Sequence, residues 1–273
     1  MRRLYEYLIV IGAIFGASVS VWGAASQKKD RGALPASNSS DEVIVQALKI
    51  PHVKLPINVH WAARSELGSR IAYERADQFL RCAMDIGDPK WLRRAVEGPP
   101  NFSSTRYAQF MIAVANAGCY PPRLLDADPN TGDYANSAID RGVLIERTLR
   151  AYAPDAALDR SQTFDPEVRA RFIKTEAAHN RYRLGPSLAA FSLSACLVQT
   201  QPELATRLFR AEQGGDLVRG LEQIMIVNAP ECLKGLKRVT IEPTTMRIHL
   251  IEAFYRWILA ARNLPSLIPQ QST

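Results

Sequence analysis

From about residue 62 onward, apolar residues recur three and four positions apart, the spacing of a single helix face. Leu67, Ile71, Ala72, Ala76, Phe79, Leu80 and Ala83 form the first such stripe. Asp88-Pro89 then supplies an N-cap and a proline at the first helical position, opening PKWLRRAVEG. Ser103 or Ser104 is placed to cap TRYAQFMIAVANAG, with Gly118 as its C-terminal cap. Further helices are expected through RGVLIERTLR up to Pro154, and from Asp165-Pro166 through PEVRARFIKTEAAHNRY. After Gly185-Pro186 come SLAAFSLSACLVQT, a helix opened by Pro202, and another through LEQIMIVNA. The last strong one begins near Pro243, with Met246, Leu250, Ile251, Phe254, Trp257, Ile258 and Ala261 on one side. Upstream, DEVIVQALKIPHVKLPINVHW alternates briefly and is broken by Pro51 and Pro56, which suits an extended segment or a short edge strand. No run of paired strands is predicted, and the fold class is all-α.

The two halves repeat. Residues 141–150 read RGVLIERTLR and residues 247–256 read RIHLIEAFYR. Cys82 and Cys196 lie 114 positions apart, Pro89 and Pro202 113, Cys119 and Cys232 113, and Arg141 and Arg247 106. Landmarks in one order at near-constant spacing mark an internal duplication. The expected organisation is an N-terminal segment 1–25, a linker and arm 26–60, a helical unit 61–154, a connecting helix 155–183, a second unit 184–263 and a tail 264–273. Within each signature a Glu stands four residues before an Arg, Glu146 with Arg150 and Glu252 with Arg256, a spacing that supports a helix. The competing reading makes Glu146 and Glu252 a pair of catalytic acids, one from each half.

The N-terminus bears on the cysteines. MRRLYEY is basic, LIVIGAIFGASVSVWG carries no charge, and small residues follow at 23–25. That order reads as a signal peptide, with an uncleaved membrane anchor as the alternative. Either way the folded part is expected outside the cytoplasm, in the bacterial periplasm or secreted. Four cysteines in an exported chain imply disulfides, and the repeat selects one connectivity. Cys82–Cys119 spans 37 positions and Cys196–Cys232 spans 36, so each unit staples its own first and third helices. A loop of that size stabilises by about 3–4 kcal/mol in the chain-entropy model.

Net charge is +7 for the chain, and +6 once residues 1–25 with Arg2, Arg3 and Glu6 are removed. Outside the cytoplasm such a surface points to an envelope protein or an acidic polymer rather than nucleic acid. A membrane partner is expected only if the N-terminal segment stays uncleaved. The charges are dispersed with mixed sign, as on a solvated helical surface.

Two further stretches are candidates for binding. Asp126, Asp128, Asn130 and Asp133 in DADPNTGD set oxygen ligands as at the start of a calcium loop. The loop departs from that pattern at Thr131, where Gly belongs, and at Ser137, where a bidentate Glu belongs. Asp41, Glu42, Val43, Ile44, Val45, Gln46 and Ala47 form DEVIVQA. This stretch resembles the box at the mature N-terminus of TonB-dependent outer-membrane receptors. The resemblance implies strand addition to a periplasmic energy-coupling protein. A helical chain of this length is not itself such a barrel, and the other reading of DEVIVQA is an arm docked on the protein's own core.

His52, His60, His179 and His249 are scattered, and no zinc, nucleotide or serine-hydrolase motif accompanies them, so no cofactor is expected. The expectation is a non-catalytic binding or structural protein of the cell envelope. An envelope hydrolase using Glu or Asp residues and a membrane-tethered assembly factor are the alternatives.

Overall fold

The computed structural model describes residues 56, 59–61, 67–86, 88–120, 137–236 and 239–270. The first unit contains α1 (Leu67–Ile86), α2 (Pro89–Glu97), α3 (Ser103–Ala115), a 3₁₀ turn at Ala117–Cys119, and α4 (Ala138–Tyr152). A connector follows, with α5 (Arg160–Phe164) and α6 (Pro166–Asn180). The second unit contains α7 (Gly185–Thr200), α8 (Pro202–Arg210), α9 (Asp216–Val227), a 3₁₀ turn at Pro230–Leu233, and α10 (Pro243–Arg262). The protein is all-α apart from β1 (Val59–Trp61) and β2 (Val239–Ile241), which pair in parallel with Val59 opposite Val239.

The duplication is visible element by element. Pro89 and Pro202 open α2 and α8, Ser103 and Asp216 open α3 and α9, and Ala117 and Pro230 open the 3₁₀ turns, each pair 113 positions apart. One backbone exception also repeats: Asn101 (φ 61°) and Gly214 (φ 89°) are 113 apart. Both are residue types that enter the left-handed region at low cost. Packing repeats as well, α1 on α4 as α7 on α10, and α2 on α3 as α8 on α9.

Local chemistry explains most helix starts. The Asp88 side chain accepts from the Lys90 N–H, and Asp165 accepts from the N–H groups of Glu167 and Val168, each with proline next in line. Ser137 and Asp140 form a reciprocal capping box, and Glu242 accepts from Thr244 and Thr245 at the head of α10. Three expectations fail. Ser103 is inside α3, whose N-cap is Phe102 without a side-chain bond. That helix also ends at Ala115, so Gly118 falls in the 3₁₀ turn and does not cap it. The stripe on α1 turns outward at its start, where Leu67 and Ile71 are 63% and 52% exposed while Tyr73 is buried.

The last helix is the centre of the molecule. The sequence suggests a one-sided α10, but residues from Met246 to Ala260 are buried on every side. It packs against α7, α4, α6, α8, α9 and α1. Trp257 stacks on Phe172 with centroids 4.1 Å apart, and its indole N–H donates to the Ala195 carbonyl at 3.2 Å. Where α10 meets α4, a Cβ on Gly142 would stand 2.5 Å from the Ile248 Cβ, so only glycine permits this approach. Gly142 and Ile248 are equivalent positions, 106 apart, in the two signatures. The units therefore meet at equivalent positions of the two signatures.

Each unit carries its own disulfide, Cys82–Cys119 and Cys196–Cys232. Each bond ties the unit's first helix to the 3₁₀ turn just beyond its third. Such bonds suit an oxidising compartment. Among the described residues no helix is long and apolar enough to cross a membrane. Because the two loops close nearly equal spans, Cys82→Ser/Cys119→Ser and Cys196→Ser/Cys232→Ser should each cost about 2–4 kcal/mol. Urea denaturation of the two double variants measures this, and a loss in only one unit contradicts equivalence.

Candidate functional site

Two signatures place four charged residues in the core, and they pair across the units. Arg247 of α10 donates to Glu146 of α4 at 2.7 Å, and Arg141 of α4 donates to Glu252 of α10. Each arginine also satisfies helix-end carbonyls of its own unit. Arg141 donates to Val96 at 3.1 Å and Gly98 at 3.2 Å, while Arg247 donates to Leu208 at 3.0 Å and Ala211 at 2.9 Å. The outer arginines reach across instead: Arg150 donates to Phe209 at 3.1 Å and Arg256 to Val96 at 2.9 Å. The C-terminal ends of α2 and α8 thus receive guanidinium groups from both units, where unpaired carbonyls and the helix dipole favour cations.

The pairing expected inside each signature holds only once. Arg150 does bond Glu146 at 2.9 Å, but Glu252 takes Arg183 at 2.9 and 3.1 Å together with Arg141. Arg256 turns instead to Glu97 and Glu176. Burial works to raise both carboxyls, yet the arginine charges win: Glu146 lies below its ordinary range and Glu252 well below it. Tyr73 donates to Glu146 at 2.9 Å, and burial with that carboxylate beside it raises the phenol. Two carboxylates held ionised by guanidinium groups are suited to binding units together, not to storing a transferable proton.

Two clefts flank this network at equivalent places. One, of about 590 Å³, lies among α1, α4, the 212–215 loop and α9. Its mate, of about 40 Å³, lies among the 100–101 turn, α3, α4, α7 and α10. Gly214, Arg219 and Glu222 of the first correspond to Asn101, Arg106 and Gln109 of the second. The mate is small because the connector fills it. Asn101 donates to the Tyr182 carbonyl at 3.0 Å, Phe102 packs on Tyr182 with centroids 4.8 Å apart, and Arg183 forks onto Glu252. The Arg183 guanidinium also lies 3.6 Å from the Phe191 ring centre.

The open cleft carries a different floor. Glu222 is fully buried there and neither carboxyl oxygen has a hydrogen-bond partner. Burial raises its pKa well above the ordinary value, with Arg247 opposing only in part. Gln213, at the lip, has a buried amide oxygen without a partner. Asp77 on the wall is bonded by Arg81 at 3.0 Å and by Arg147. Arg70, Glu74 and Glu212 line the cleft with no ion pair among the described residues.

The other sequence candidates fare as follows. The DEVIVQA stretch, residues 41–47, and the candidate calcium ligands Asp126, Asp128, Asn130 and Asp133 lie outside the described residues. Ser137, which ends that loop, is committed to capping α4. Among the described residues no group of His, Cys, Asp and Glu could hold a metal ion. His60 is exposed, His179 contacts Glu176 at 3.1 Å, and His249 is buried, its pKa lowered chiefly by that burial. Tyr73, Arg183 and Glu222 escaped notice in the sequence. The 113-residue offset could have flagged Glu222, since it sets a carboxyl opposite the amide of Gln109. No protein-family model, curated protein or solved structure matches the chain.

Replacing Glu252 by Gln leaves Arg141 buried without a counter-charge and Arg183 with only Glu176, 3.5 Å away, and should cost about 3–5 kcal/mol. The sign with pH follows from its depressed pKa. The stabilisation is present above the unfolded carboxylate pKa and is lost as pH falls through the folded one. Denaturant titrations of wild type and Glu252→Gln should therefore converge on acidification, and a pH-independent gap contradicts the assignment.

Proposed function

We propose that this is an exported, non-catalytic binding protein of the bacterial cell envelope, and that its ligand enters the open cleft. The observation that carries the reading is the asymmetry of the two clefts. The scaffold makes one site twice, closes one copy with its own connector, and leaves the other at about 590 Å³, within the size range of small-ligand pockets. Export is supported by the basic and then apolar N-terminal sequence and by paired cysteines in two disulfides. A non-catalytic role is supported by the fate of Glu146 and Glu252. Both are fixed in ion pairs and stay ionised, which argues against acid–base chemistry of a hydrolase at these positions.

The test uses a variant that fills the cleft and spares the network. A Cβ on Gly215 would meet no heavy atom nearer than 3.7 Å, so the backbone there accepts a side chain, and Gly215→Trp is chosen to place an indole at the lip. Native mass spectrometry after incubation with a small-molecule extract of bacterial envelopes should show an adduct on the wild type that Gly215→Trp lacks. Equal adducts on both proteins, or none on either, overturn the reading.

A further inference from the structure

The surface of the first unit carries a strip that its copy lacks. The outer side of α3 holds Tyr107, Phe110 and Val114, which are 53%, 47% and 52% exposed. Spacings of three and four residues put them on one stripe of the helix. α3 packs against α2, and at that contact Tyr107 meets Trp91 edge-on with ring centroids 5.7 Å apart. Lys90 and Arg94 lie over the Trp91 ring, 5.9 and 5.6 Å from its centre. Arg106 stands one turn before Phe110 and is exposed. The two helices thus present an apolar, aromatic strip edged by cations.

Charge on this hairpin is one-sided. From Asp88 to Cys119 the cations are Lys90, Arg93, Arg94 and Arg106, and the acids are Asp88 and Glu97. Asp88 caps α2, and Glu97 accepts from Tyr255 and from Arg256 at 3.1 Å. None of the four cations is in an ion pair among the described residues. The second unit builds the same framework without these groups. Lys90, Arg93, Tyr107 and Phe110 are matched 113 positions on by Glu203, Thr206, Gly220 and Gln223. None of the strip's residues lines the open cleft.

A second copy of the chain suits this face poorly. Symmetric pairing would set the four cations against themselves, with no free acid on the hairpin to answer them. A bilayer with an anionic surface matches both halves of the pattern. Trp and Tyr rings settle at headgroup depth, apolar side chains reach the acyl boundary, and Lys and Arg meet the lipid charge.

We propose that the α2–α3 hairpin lays the outer face of α3 on an anionic lipid surface. Tyr107, Phe110 and Val114 enter the interface, and Lys90, Arg94 and Arg106 meet the headgroups. This docking is independent of what the open cleft binds.

The test reads the face itself. Hydroxyl-radical footprinting of the full chain, resolved by peptide mass spectrometry, follows oxidation of Tyr107 and Phe110. It is run with vesicles of phosphatidylglycerol and phosphatidylcholine, and with phosphatidylcholine alone. Phe164, exposed on α5, is the reference. Anionic vesicles should suppress oxidation of Tyr107 and Phe110 but not of Phe164, and added salt should restore it. Lys90→Glu/Phe110→Gln installs the residue types of Glu203 and Gln223 at exposed positions, so its melting temperature should match the wild type. Tyr107 in that variant should need about tenfold more anionic lipid for the same protection. The N-terminal segment is the same in both proteins, so its own affinity for lipid does not produce this difference. Unchanged oxidation with anionic vesicles, equal protection by phosphatidylcholine alone, or equal lipid demand in the variant overturns the proposal. Protection without vesicles overturns it too. If that protection grows with protein concentration, the face belongs to a second copy, and if it does not, to the chain's own segments.

Discussion

Two buried glutamate–arginine pairs, each made between the units, are the constraint on which the rest of the molecule depends. A charge taken out of water is costly unless its partner and its remaining hydrogen bonds are supplied together. Here they are supplied by symmetry. Glu146 needs Arg247, Glu252 needs Arg141, and the spare N–H groups of both arginines find helix-end carbonyls at Val96, Gly98, Leu208 and Ala211. The two crossed ion pairs do not survive if one unit slides against the other. The glycine at 142 lets the two helices come close enough for the pairs to close. Hydrophobic burial around α10 supplies adhesion, and the crossed pairs supply register.

The same arrangement explains how one scaffold presents two unlike sites. Duplication places a cleft on each side of the network, and the connector between units ends beside only one of them. Arg183 is satisfied there by Glu252 and Asn180, so that copy behaves as part of the core. The other copy keeps its space and replaces an amide by a carboxyl at Glu222. The Glu222 carboxyl is buried without a hydrogen-bond partner, which is costly for the fold. Glu222 and Glu252 show the contrast, since burial dominates one and guanidinium charge the other.

Much of the architecture was legible because it is written in local chemistry. Asp-Pro pairs at 88–89 and 165–166 announce helix starts, and the cysteine spacings give the disulfides once the repeat is seen. What was not legible depends on long-range packing. The three-residue strands β1 and β2 are too short to pattern, and Leu67 and Ile71 keep helical spacing although the helix start that carries them is on the surface. The all-round burial of α10 is masked by its own charges, because Arg247, Glu252 and Arg256 look like a solvated face until their partners are known. The glutamates were explicable by neighbours four residues away, and sequence offers no sign that Glu252 would choose residues 69 and 111 positions distant instead. Glu222 lay in an apolar helix with no motif around it, and only its mismatch with Gln109 gives it away.

The crossed pairing is tested most directly by double-mutant cycles on stability. Cycles of Glu146→Gln with Arg247→Met, and of Glu252→Gln with Arg141→Met, should each give a coupling of about 1–3 kcal/mol, as residues in one buried network do. Cycles within a signature, Glu146 with Arg141 and Glu252 with Arg247, should give couplings near zero. Strong coupling within each signature and none between units would contradict the account.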